Sequence, residues 1–247
     1  MSRNPSQLYK YHVANLRALQ LAINSTLRLA KEAVATKDPQ KSLQSLLRLI
    51  SFLIGAWAET RLNKILYEEF GFNDSHRQKI LDQKSQLDKW NKCIELAFRS
   101  HYKIIHADLT DSTLGVANFA RYTTLQNIIS NDLRIIIEIR NKLAHGQWIY
   151  PLTSNGSDVE KNKYKLIKHE NIQTLHFKYD LLKHLANLIH DLVVSSRTFE
   201  RDFEIHYKKL KQVQINSTKK TYADYEQKLI QNRIDGRRKA LNNAQIV

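Results

Sequence analysis

Turn-forming residues are scarce in this chain. It holds only six Gly and three Pro in 247 residues, far below the roughly 12% that those two residues reach in average usage. Sandwiches, barrels and propellers need a turn signal every few residues, so that shortage argues against them. No GxGxxG and no GxxxxGK[ST] string is present, which removes the dinucleotide-binding and P-loop readings. The single cysteine, Cys93, excludes an internal disulfide framework and a multi-cysteine zinc site. The ten histidines contain no HExxH pair, so no metal site is expected. Long apolar runs are missing too. The longest, Phe52 to Ala58, falls well short of the ~20 residues that span a bilayer. The N-terminal stretch lacks the apolar core of a signal peptide. A cytoplasmic protein without membrane contact and without a cofactor is the expectation.

What the chain does have is apolar residues at helical spacing and an excess of positive charge. The hydrophobic fraction of 42% is enough to bury a core. The net charge is +15, which attracts polyanions. The chain ends carry most of it. Residues 1–37 hold six Lys or Arg against Glu32 alone, and residues 201–247 hold eleven against five acids. A solvated surface would look the same, but RNA or DNA is the expected partner among the polyanions, which also include anionic lipid and acidic protein.

The three- to four-residue period runs through most of the chain and predicts an all-α fold. Leu8, Tyr11, Leu16, Leu19, Ile23, Leu27 and Ala30 mark a helix over about 6–35. Asp38-Pro39 reads as the start of a second helix, which continues past Trp57 and Leu66 and stops by Gly71. Asp74 or Ser75 would cap a third, running through Ile80, Trp90 and Phe98. Helical spacing resumes at Val116. Asn131 or Asp132 would cap a separate aliphatic helix, Leu133 to Leu143, with Gly146 as its stop. Residues 147–170 read as a small β-hairpin or ordered loop, from Trp148-Ile149-Tyr150, the Ser154-Asn155-Gly156-Ser157 turn and a weak alternation over Lys163 to Lys168. A long helix restarts near Leu175 and reaches about Leu210. Gln212 to Thr218 would be a linker, and Tyr222 to Arg238 a last basic helix. The expected organisation is a helical domain over 1–210 and a basic linker and helix over 211–247.

One string carries chemistry: Ile137-Glu138-Ile139-Arg140-Asn141-Lys142-Leu143-Ala144-His145-Gly146. An Arg is followed by a polar residue and then, at the end of an apolar helix, by His. Spacing alone is uninformative. With 15 Arg and 10 His in the chain, chance produces such pairs, and Arg201/His206 and Arg99/His106 share the pattern. Context separates them. His206 is followed by Tyr-Lys-Lys with no helix stop, and Arg99 lies in a loosely patterned stretch. Arg201, followed by polar Asp202, remains a competitor.

The wording RNKLAHG resembles the HEPN superfamily, whose ribonuclease members share an Arg, often followed by a polar residue, and a His four to six positions on. That resemblance implies a bundle of four to six helices with the motif late in the core. It also implies metal-independent cleavage of RNA by attack of the ribose 2′-OH, leaving a 2′,3′-cyclic phosphate and a 5′-OH. The residue types suit this chemistry. Imidazole exchanges a proton near neutral pH, and a guanidinium can hold two phosphoryl oxygens at once. On an α-helix a five-residue step is about 500° and 7.5 Å, so Arg140 and His145 would flank a groove rather than share a face. The resemblance further implies a homodimer through the motif helix, an antitoxin or activator partner, and a role in bacterial defence such as abortive infection or a toxin–antitoxin pair.

Arg140, Asn141 and His145 are thus the candidate catalytic residues. Lys142, Trp148, Arg237 and Arg238 are candidate RNA contacts, Trp148 by stacking a base and the cations through phosphates. Glu59 with Arg61 on the second helix reads as structural. Two other readings stay open: a non-catalytic, HEPN-like, dimerising RNA-binding adaptor, and a plain helical interaction protein.

Overall fold

The structure is a computed structural model and describes residues 6–37 and 40–244. It is all-α. In chain order the helices are α1 (Gln7–Thr36), α2 (Gln40–Leu66), α3 (Asp74–Leu81), α4 (Gln86–Tyr102), α5 (Asp111–Leu114), α6 (Val116–Ile128), α7 (Arg134–Ala144), α8 (Lys161–His169), α9 (Ile172–Val194), α10 (Ser196–Lys219) and α11 (Tyr222–Ala244). A π-helical turn, Ile129–Leu133, joins α6 to α7. None of the helices in the described residues is long and apolar enough to cross a membrane.

The period of the apolar residues explains the packing. α1 buries Leu16, Ile23, Leu27, Ala30 and Val34 and lies along α2. The central part of α2 has buried residues on much of its circumference, with Ile50, Ile54, Trp57, Ala58, Leu62 and Ile65 all enclosed. It is the helix at the centre, in contact with α1, α7 and α9. α9 buries Leu182, Leu185, Leu188, Ile189 and Leu192 and packs along α10. Phe98 of α4 meets Phe199 of α10 edge to face, with centroids 5.7 Å apart, and Trp90 of α4 is fully buried in the same core. A small separate cluster forms where Ile167 of α8 meets Ile139 and Leu143 of α7.

Ionisable groups fill one seam between α2 and α9. The Glu68 carboxylate takes His190 at 3.1 Å and also Lys64. Burial alone would raise its pKa, but hydrogen bonds from His190 and Lys64, aided by their charges, win and hold it at about 2. The His190 imidazole is pushed up in turn by hydrogen bonding to Asp191 and Glu68.

Several expectations about boundaries need correction. The proposed start at Asp38-Pro39 lies outside the described residues. The third helix is two. α3 is capped by Asn73, whose Oδ1 accepts from the His76 N–H at 2.9 Å, rather than by Asp74 or Ser75. α4 begins after Ser85, whose Oγ accepts the Asp88 N–H at 3.0 Å. Neither Asn131 nor Asp132 caps a helix. The chain passes through them in the π turn, and the half-buried Asp132 carboxylate accepts from Gln214 of α10 at 3.0 Å. That turn keeps Ile129, Leu133, Ile136 and Ile137 all on the buried side.

The region 147–170 contains no strand. Leu152 and Val159 make one isolated bridge around the turn at Asn155-Gly156, and 161–169 is helix. Tyr164 and Ile167, three residues apart, face inward, and that helical spacing overrides the weak alternation of Lys163 to Lys168. Gln212 to Thr218 is likewise no linker. Leu210 is buried and Val213 packs on the core, so α10 continues to Lys219. α11 rests on α1, held by Tyr222, Tyr225 and Leu229 and by an ion pair from Arg233 to Glu32.

Candidate active site

α7 buries Ile136, Ile137, Ile139 and Leu143; Arg140, one turn on from Ile136, lies on the same side against α2, while Asn141 points outward. The approach of α7 to α2 is set by Gly55. A Cβ there would stand 2.3 Å from Arg140 Cβ and 2.5 Å from its Cγ, so only glycine lets the Arg140 stem lie on the α2 backbone. One turn further along α2, Glu59 receives the guanidinium, with Nη2 donating to Oε2 at 2.6 Å. Nη1 donates to Asn141 Oδ1 at 3.2 Å. Nε is buried and has no partner among the described residues. The guanidinium is therefore fixed from two sides, while Glu59 stays about 42% exposed and Arg140 about 29%.

The helix ends as the Gly146 signal predicts. His145 is the last residue before the turn (φ −90°, ψ 18°), and Gly146 takes φ +75°. Gln147 N–H donates to Lys142 O at 3.0 Å and Gly146 N–H to Leu143 O at 3.1 Å, which is a Schellman closure. The His145 side chain is exposed and makes no hydrogen bond or ion pair among the described residues.

The loop after the motif is pinned rather than loose. Lys142 Nζ donates to Leu152 O and lies 3.3 Å from Glu160. Lys163 bridges Glu160 and, at 3.5 Å, Glu138. Glu160 is held below the usual carboxylate range by its hydrogen bond from Lys163, with Lys142 adding to it against slight desolvation. Lys142 thus serves the loop. Trp148 Nε1 donates to Leu143 O at 3.0 Å, and Arg48 Nε donates to Trp148 O at 3.0 Å. Beside Trp148 opens a cavity of about 590 Å³ between α2 and α8.

The structure therefore brings Arg140, Asn141 and His145 to one helix end, with Lys142 and Trp148 beside them. Arg237 and Arg238 are exposed on α11, which rests on α1, whereas α7 rests on α2. Glu59 does not pair with Arg61, which instead reaches Asn187 at 3.3 Å. Glu59 serves Arg140, a pairing across helices that the sequence does not display directly. The available signal was a lone Gly inside an apolar helix, four residues before an acid.

The rival pairs are engaged elsewhere. Arg201, 72% exposed, is clasped by its neighbour Asp202 at 2.6 and 2.8 Å, and His206 faces Asp191 at 3.6 Å. Arg99 closes the end of α4 by binding Glu95 at 2.8 Å and the Ala107 carbonyl at 2.8 Å. Arg99 and His106 do line a common cavity of about 530 Å³, together with Lys79, Lys92, Asp82 and Glu95, but Arg99 is already committed to Glu95 and to the loop carbonyls. Among the described residues no group of three or more His, Cys, Asp or Glu side chains is placed to hold a metal ion.

Comparisons of the chain with protein-family models, with curated proteins and with solved structures yield no match.

Proposed function

We propose that this protein is a metal-independent endoribonuclease of the HEPN type. The observation that carries the reading is the state of the motif. The Arg140 guanidinium is oriented by Glu59 and Asn141, and an exposed, unpartnered His145 stands five residues on at the helix end. Two adjacent requirements of RNA cleavage are then met by neighbouring groups. The ribose 2′-oxygen forms a bond to phosphorus while the bond from phosphorus to the 5′-oxygen breaks. His145 exchanges a proton with one of these oxygens. Arg140 neutralises charge on the non-bridging oxygens. Asn141 keeps its amide N–H groups for a phosphate while its carbonyl steadies Arg140.

One imidazole per chain cannot at once accept the 2′-OH proton and donate to the leaving oxygen. A homodimer joined along α7 supplies the second, and this is the assembly we propose. The role is in bacterial defence, in the cytoplasm, with RNA as substrate and a second protein as antitoxin or activator. One observation favours the adaptor reading instead: Arg140 is already paired with Glu59, and an Arg committed to a carboxylate suits a domain that holds RNA without cutting it.

Expression in bacterial cells separates the two. The ribonuclease reading expects growth arrest by the wild-type chain and none by His145→Ala. Normal growth with both, at equal protein levels, would support the adaptor.

A further inference from the structure

The cavity beside Trp148 has a basic and aromatic lining. Lys41 and Arg48 of α2 and Lys168 of α8 line it, together with Trp148, Ile149 and Tyr164, and no carboxylate does. The cavity by Arg99 includes Asp82 and Glu95, and the one on the other side of α8 includes Glu170. Arg48 is only partly satisfied. Its Nη1 lies 3.5 Å from the Glu170 carboxylate, outside hydrogen-bond alignment, and is buried without a hydrogen-bond partner. Tyr164 is held by stacking on Tyr150, with centroids 5.6 Å apart and planes 10° apart. At about 590 Å³ the cavity lies in the ordinary range for sites that enclose a small organic molecule.

Two aromatic rings and three cations, of which only Arg48 faces a carboxylate, Glu170 at 3.5 Å, match one ligand chemistry, a planar base carrying a phosphate. α2 ties this cavity to the motif. Arg48 and Gly55 are seven residues apart, roughly 10.5 Å along the helix, and Gly55 carries the Arg140 stem. One strand of RNA can therefore reach both. We propose that this cavity is a nucleotide subsite for the RNA strand, with the base against Trp148 and Tyr164 and a phosphate held by Lys41, Arg48 and Lys168. The proposal rests on the ribonuclease reading for its choice of RNA.

The test separates the two. Of the three tryptophans, Trp57 and Trp90 are 2% and 0% exposed and Trp148 is 37% exposed, so quenching reports on Trp148. A short 2′-O-methyl RNA, which has no nucleophile and is not cut, is titrated into wild type and variants, with anisotropy of a 5′-labelled strand read in parallel. The expected result is quenching in wild type. Kd should rise roughly tenfold to a hundredfold in Trp148→Ala, the range of one lost base stack, and several-fold in Lys41→Ala and Lys168→Ala. Trp148→Phe keeps a ring but loses the bond to Leu143 O, so it should bind nearly as wild type; loss there would assign the effect to the loop and overturn the proposal. Unchanged Kd in the three pocket variants would overturn it as well. So would a mononucleotide that quenches Trp148 without competing with RNA. Cleavage of all-ribose RNA is then measured on the same samples. Wild type that binds but never cuts removes the ribonuclease reading and leaves the subsite. Cutting with an unchanged KM in Trp148→Ala removes the subsite and leaves the ribonuclease.

Discussion

Gly55 shows how a single missing side chain can place a functional group. The Arg140 stem occupies the volume where a Cβ would be, so α2 and α7 meet there through backbone and an arginine. Gly55→Ala should therefore destabilise the fold by about 1–3 kcal/mol and lower RNA cleavage, because α7 must shift. Gly236, with nothing within 4 Å of its would-be Cβ, lies inside α11. Gly236→Ala should stabilise by about 0.5–1 kcal/mol, read by urea unfolding beside Gly55→Ala. Glu68 gives a prediction in pH. Its folded pKa of about 2 is below the ordinary 4.5, so its contribution is present above 4.5 and is lost as pH falls from there towards 2. His190 is raised above 6.5, so its contribution is full below 6.5 and declines as pH rises through the shifted value. In Glu68→Gln the urea midpoint should lose part of its acid-side slope between pH 4.5 and 2. An unchanged slope would show that the seam does not act as described.

Among the elements, long amphipathic helices were plain in the sequence and their ends were not. α1, α2, α7 and α9 carry enough regularly spaced Leu and Ile to be read directly, and Gly146 marked the end of α7. The split between α3 and α4 was written in Ser85-x-x-Asp88, a capping pattern hidden inside a continuous apolar period. Ser85→Ala should cost about 1 kcal/mol, seen as a fall in thermal midpoint. α8 is short and rich in Lys, and its helical nature depends on Ile167 finding Ile139 and Leu143, a tertiary contact that no local rule reveals. The π turn at Ile129–Leu133 is similar. Asp132 looked like a cap and instead reaches Gln214, 82 residues away. Of the candidate site, Arg140, Asn141 and His145 were legible as a string. Glu59 was not, because its partner lies on another helix, and the Lys142 contacts to Leu152 and Glu160 were not, because they depend on the path of the loop.

At the scale of the molecule the positive charge is distributed unevenly. α11 carries Arg237 and Arg238 exposed on a helix that rests on α1, whereas α7 rests on α2. If they contact phosphates, their contribution is non-specific and salt-sensitive. Replacing both by Ala should reduce the slope of log Kd against log salt by about 2 and leave the cleavage position on a given RNA unchanged. The same molecule-wide view separates the three Arg/His pairs. Arg201 and Arg99 are tied to acids on their own helices, whereas Arg140 is anchored across to α2 beside an exposed His145.

That contrast is the centre of the account, and one assay addresses it. A 5′-labelled RNA is incubated in excess EDTA with wild type, His145→Ala and His206→Ala. The account predicts cleavage by wild type and His206→Ala, none by His145→Ala, and products ending in 2′,3′-cyclic phosphate. Cleavage that survives in His145→Ala, or that vanishes from wild type in EDTA, would contradict it.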